Sequence, residues 1–200
     1  MRHDSDTVMF FEPSKCGSLL VSAGFTGVFI WNGAGQLERT LPRHAGWTSG
    51  IAATAGADKV VVANRKEIFV WATHSGVERY SIALPDDVSV FDTLDCGRLL
   101  VTATCGKGDI WALNNGEHVL GLQRFGEDVQ HLVARDDGRL VAGCGVSTSH
   151  RGAEWVSVWS VSTGERLHTE GGQFVSDDDL SAGCLVDIGD SPSFGEWALA

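Results

Sequence analysis

Two hundred residues, 43% of them hydrophobic, are enough for one packed domain, and 25 glycines against four prolines suit many tight turns without marking a disordered segment. The formal net charge of -11, with no cluster of Lys or Arg, opposes a phosphate backbone or an anionic lipid surface, so neither nucleic acid nor membrane is expected as a partner. No run approaches the roughly 20 apolar residues of a membrane helix, Met1 to Asp6 lacks the apolar core of a signal peptide, and the five cysteines form no close pairs. A soluble, cytoplasmic protein is expected, its cysteines reduced and serving as buried or half-buried small apolar residues.

Taken from the N-terminus, Val8-Met9-Phe10-Phe11 reads as a compact strand, Ser14 to Gly17 as a turn, and Ser18 to Ala23 as a second strand rich in β-formers. Gly24 to Gly27 turns the chain into Val28-Phe29-Ile30-Trp31, and Asn32-Gly33-Ala34-Gly35 leads to a fourth strand over Leu37 to Leu41. The same order then returns. Ile68-Phe69-Val70-Trp71, Ile110-Trp111 and Val156-Ser157-Val158-Trp159 repeat the third strand, and Trp31, Trp71 and Trp111 are 40 residues apart. A fixed period of that size points to a stack or ring of small supersecondary units.

Other positions keep step with the tryptophans. Gly17, Ala57 and Gly97 each lie fourteen residues ahead of the Trp and open an apolar run, and Ala23, Ala63 and Ala103 follow at the same interval. A fourth unit aligns once about seven residues are inserted between Val141 and Trp159, which brings Gly138 and Val129 into line. A partial fifth carries Phe174, Gly183, Leu185-Val186 and Trp197 in the matching slots. The units span 8–41, 48–82, 88–122, 129–169 and 174–200 within a single domain, 1–200.

Short strands joined by shorter connections, with no helical periodicity, make the chain all-β. The first two strands of a unit are apolar at nearly every position, whereas the fourth is amphipathic, as in Leu37-Glu38-Arg39-Thr40-Leu41. A β-propeller of about five four-stranded antiparallel blades is the expectation, with inner strands packed between blades and the outer strand in water. A Trp closing the third strand fills the gap between sheets, worth about 2–3 kcal/mol on burial.

Val156-Ser157-Val158-Trp159 with Thr163-Gly164-Glu165, its echoes at Trp71 and Gly76 and at Trp111 and Gly116, and Asp136-Asp137-Gly138-Arg139-Leu140 together resemble the WD-repeat β-propeller family. The resemblance covers nearly the whole chain in period and strand order, and implies an interaction platform. In this chain the residue after Trp is Asn32, Ala72, Ala112, Ser160 or Ala198 rather than Asp, and only Arg43-His44 stands near the Gly-His place. A divergent member is implied, without the Asp-His-Ser-Trp tetrad.

Two closures remain open at the sequence level. One is a five-bladed ring, and the other an open arc completed by another chain, a second copy or further sequence. Chemistry is sparse. Asp177-Asp178-Asp179 reads as a solvated loop, since successive extended residues point to opposite faces, and Asp86-Asp87 and Asp136-Asp137 suit turns. The seven histidines form no pair at ligand spacing, no nucleophile elbow or phosphate loop is present, and neither an enzyme nor a cofactor or metal site is expected.

The candidate partner-binding residues are His150, Arg151 and Trp155 in the insertion, which carries a tryptophan outside the repeat register, and His44 with Trp47 before the second unit. Loops that break a repeat map to one rim, and an exposed Arg/Trp pair is a common interface anchor. A non-catalytic protein–protein interaction scaffold is the first functional expectation, binding proteins or peptides. A lectin-like propeller taking a small molecule or carbohydrate is the alternative.

Overall fold

Valine, isoleucine and threonine crowd each repeat because their branched side chains fit a pleated surface, and in the computed structural model those runs are extended. The structure describes residues 8–14, 16–24, 27–42, 48–94, 97–104, 106–125, 128–135, 137–147 and 153–170. The first sheet holds β1 (Val8–Pro13), β2 (Leu19–Gly24), β3 (Val28–Asn32) and β4 (Leu37–Leu41). The second holds β5 (Thr48–Ala53), β6 (Lys59–Asn64), β7 (Glu67–Ala72) and β8 (Val77–Ala83). In the third are β9 (Val90–Leu94), β10 (Leu99–Thr104), β11 (Lys107–Ala112) and β12 (His118–Leu122). The fourth is built from β13 (Val129–Ala134), β14 (Leu140–Ser147), β15 (Ala153–Ser160) and β16 (Arg166–Glu170).

Each sheet is four-stranded and antiparallel, with its strands in sequence order, which is the blade arrangement of a propeller. First strands meet in succession, β1 with β5, β5 with β9 and β9 with β13. Residues 174–200, read as a fifth unit, lie outside the described residues.

The tryptophans mark equivalent places. Leu20 pairs with Trp31, Val60 with Trp71, Leu100 with Trp111 and Val141 with Trp159. Just before each Trp the pairing with the fourth strand slips by a residue, at Ile30/Trp31, Val70/Trp71, Ile110/Trp111 and Val158/Trp159. A bulge increases local twist, and its recurrence at one place bends the outer strand of every sheet alike.

Three apolar joints hold consecutive sheets together. In the first, Val21, Ile30 and Leu41 meet Val62, Phe69 and Trp71. The second brings Val61, Val70 and Ile82 against Leu100 and Leu113, with Trp111 packed alongside. Val101, Ile110 and Leu122 face Val141, Trp155 and Trp159 in the third. Each Trp of the second to fourth sheets therefore closes on the sheet before it. Polar bonds reinforce the joints: the Thr93 hydroxyl donates to the Ala53 carbonyl at 3.4 Å, and the Ala134 N–H to Asp92 Oδ2 at 2.9 Å.

The first strands depart from the expectation of full burial. Phe11 is 57% exposed and Val133 43%, and these belong to the two end sheets, where one face has no neighbour among the described sheets.

The turns between first and second strands are built alike. In the first two sheets, Ser14 and Thr54 hydroxyls accept from Leu19 and Lys59 N–H at 3.0 and 3.1 Å, and the turn closes through Gly17 or Ala57 N–H on the Ser14 or Thr54 carbonyl at 2.8 Å. Gly17, Gly97 and Gly138 take positive φ there, and Ala57 is held at φ 56. A side chain in that conformation costs about 1–2 kcal/mol, against a smaller loss of backbone entropy and of one buried methyl for glycine. Ala57→Gly is expected to raise the unfolding free energy by about 0.5–1 kcal/mol in urea titration; a fall would show that the buried methyl outweighs the strain.

Candidate interaction surface

An outer strand with one face in water and one edge unpaired must display whatever side chains its sequence puts there. β4, β8, β12 and β16 are the edge strands at the outer ends of their sheets, and each displays one large aliphatic: Leu37, Val77, Val119 and Leu167. Val77 is the most open, at 60%. Val119 and Leu167 occupy the extra position of the bulge beside Trp111 and Trp159, which turns them away from the joint. Acidic and basic residues alternate around them, including exposed Glu38, Glu78, Arg79 and Glu117.

This rim is tied from sheet to sheet. Arg39 Nη2 on β4 donates to the His74 carbonyl at 2.6 Å, and Gln123 N–H donates to the Gly164 carbonyl at 2.8 Å. At the same junction Trp159 Nε1 donates to the Gln123 carbonyl at 2.9 Å, and its ring lies on Phe125 at 4.8 Å between centroids. In the first and third sheets the indole instead finds a hydroxyl nine residues upstream: Trp31 Nε1 donates to Ser22 Oγ at 2.8 Å and Trp111 Nε1 to Thr102 Oγ1 at 2.9 Å. Sequence reasoning missed these hydroxyls, although their constant spacing from Trp was visible.

Trp155 is not the exposed anchor that the sequence suggested. It lies on β15 four residues before Trp159, so both rings take the same face of the sheet. It is 2% exposed and meets Trp159 edge-on, at 6.3 Å between centroids and 89° between planes. Glycine on the partner strand leaves room: a Cβ at Gly143 would stand 3.2 Å from Trp159 Cζ3, and one at Gly145 would run into the Asp128 carbonyl and stand 3.0 Å from Trp155 Cζ2. The insertion is thus partly strand, since β14 and β15 pair out to Ser147 and Ala153. His150, Arg151, His44 and Trp47 lie outside the described residues.

Among the described residues, no three His, Cys, Asp or Glu side chains come together as a metal-holding group. His118 Nε2 and Asp109 Oδ1 are 2.8 Å apart across the third sheet, with the imidazole edge-on to Trp111 at 5.0 Å. That places a polar pair on the rim beside Val119.

Cys16 also departs from expectation, because it is exposed rather than buried. Its Sγ lies 3.4 Å from Ser14 Oγ and 3.0 Å from Ser18 Oγ in the first turn. Hydroxyl donation from Ser14, then from Ser18, stabilises the thiolate and lowers the thiol pKa to about 7. Cys144, half-buried on β14, is pushed the other way by burial.

No family model matches the chain, and no curated protein matches it in sequence. Among solved structures it is similar to a chain of Kuenenia stuttgartiensis hydrazine synthase, with a TM-score of 0.72 at 14% identity over 86% of this chain. The match covers 51% of that chain, so the present sequence spans about half its length. At that identity the likeness is one of fold.

The thiol geometry gives a direct expectation. Alkylation of Cys16 should rise with pH through a midpoint near 7 and outpace that of Cys144 at neutral pH, read by mass spectrometry of labelled peptides. Ser18→Ala should move the midpoint toward the ordinary thiol value of about 8.5. A midpoint already there in the parent would contradict the hydroxyl arrangement.

Proposed function

We propose that this chain is a non-catalytic protein–protein interaction scaffold of the WD-repeat-like propeller kind, working in a reducing compartment. The observation that carries the reading is the outer rim: among the described residues, each sheet ends in a strand edge without a pairing partner that bears one exposed aliphatic. Bonds between sheets, such as Arg39 to His74 and Gln123 to Gly164, hold those edges in fixed relation. A rigid rim of separated aliphatic and charged positions suits an extended or folded protein partner, which can add backbone pairing at an edge and cover the side chains beside it. Small ligands prefer concave sites that bury most of their surface, whereas these aliphatics stand exposed on outer strands.

The resemblance in period, in the Trp-ended third strand and in the Gly turn supports the same class, and the free thiols of Cys16 and Cys144 agree with a reducing environment. The test is a paired substitution, Val77→Glu with Val119→Glu. Both residues are exposed, so stability should change by about 0.5 kcal/mol or less per site, while proteins recovered with the parent should be lost in quantitative affinity capture. An unchanged partner set would remove the rim from the proposal. Saturable quenching of tryptophan fluorescence by saccharides, with no protein recovered, would favour the ligand-binding alternative.

A further inference from the structure

The outer edges of the sheets are not equally open. In an antiparallel ladder the backbone N–H and C=O of successive residues point alternately into the sheet and out of it. Leu84 N–H donates to the Lys66 carbonyl at 2.8 Å, one step beyond the pairing of Glu67 with Ala83, so Leu84 and Ile82 turn inward while Ser81 and Ala83 turn their backbone groups out. On the third sheet the matching edge is taken. Gln123 N–H donates to the Gly164 carbonyl, and a Cβ at Gly164 would run into the carbonyl of Gly121, the other outward residue there. The first sheet places Pro42, which has no N–H, where the second has Ala83. In the fourth sheet that place falls at residue 171, outside the described residues. Among the described edges, β8 therefore offers two successive outward positions with nothing bonded to them, Ser81 and Ala83, both small and exposed.

We propose that this edge of β8 pairs with the same edge of a second copy of the chain, antiparallel about a two-fold axis at Ile82. Ser81 of each copy then stands opposite Ala83 of the other, and the two pairs exchange four main-chain hydrogen bonds. Charge selects a second copy as the occupant. Arg79 lies three residues before Ile82, and Asp86 and Asp87 lie four and five after it, so the axis brings each guanidinium toward the other copy's carboxylates at both ends of the contact. Arg79 and Asp87 are exposed, and Asp86 is half-buried with Lys107 Nζ at 3.4 Å. The residues between, Tyr80 to Leu84, are uncharged at neutral pH, so no like charges are set opposite one another. The bulge beside Trp71 ends the regular stretch just before Tyr80. A contact that short is well under a standard interface, which makes the dimer weak and dependent on concentration. This self-association is independent of the scaffold reading, which concerns other proteins.

Sedimentation equilibrium of the intact chain tests this. The average mass should climb from one chain toward two between about 10 µM and about 1 mM, the range of a small interface. Ala83→Pro removes the outward N–H and puts proline where the first sheet already carries Pro42, so it should weaken association at least about tenfold while circular dichroism shows the fold retained. Arg79→Glu should weaken it too, and adding Asp87→Arg to that variant should restore it. Should Ala83→Pro unfold the chain, the charge reversal and its restoration decide. A parent that keeps the mass of one chain up to about 1 mM would overturn the proposal, as would a dimer that neither Ala83→Pro nor Arg79→Glu weakens. A monomeric parent whose captured proteins are lost on Ala83→Pro would also overturn it, and would assign the edge to a strand of another protein.

Discussion

The structure depends on one contact, an indole pressed from each of the second, third and fourth sheets onto the sheet before it. A four-stranded antiparallel sheet with two apolar faces cannot remain in water alone, and twist prevents a second sheet from covering it flat. A wide planar side chain at the end of the third strand fills the space between two twisted surfaces, and burial of that size is worth about 2–3 kcal/mol per joint. The indole N–H must still be satisfied. Ser22 and Thr102 accept it within the same sheet, while Trp159 reaches across to the Gln123 carbonyl and so binds two sheets with the same ring.

Local features serve that contact. The register slip before every Trp bends the outer strand away, leaving Val119 and Leu167 facing solvent instead of entering the joint. Turn residues at positive φ keep the hairpins tight enough for neighbouring sheets to approach, as where Gly164 receives the Gln123 N–H. The inner strands of each sheet face its neighbours, while the outer strand keeps one face in water. The proposed interaction role of the rim rests on that division.

Much of this was legible because a repeated joint demands a repeated residue: Trp31, Trp71 and Trp111 recur at 40 residues, and the sheets follow that interval. The amphipathic fourth strands were legible for the same reason, with Leu41, Ile82 and Leu122 buried where alternation placed them. Trp155 escapes sequence reasoning because its segment reads as loop, where the two-residue period of a strand does not apply. Gly143 and Gly145 alternate on the strand opposite, the first under the Trp159 ring and the second between the Asp128 backbone and Trp155. Cys16 reads as a small packing residue by type, whereas the serines two residues to either side set its environment. The rim could not be found from composition alone, since whether Val119 is core or surface turns on a one-residue bulge.

The most direct measurement of the central claim is a double-mutant cycle between Trp159 of the fourth sheet and Phe125, which follows β12 and lies over Gly108 of the third sheet, the two rings 4.8 Å apart between centroids. With each residue changed to leucine singly and together, equilibrium unfolding should give a coupling free energy of about 0.5–1.5 kcal/mol, the range for paired aromatic rings. Additivity within about 0.3 kcal/mol would mean that the indole does not bind one sheet to the next.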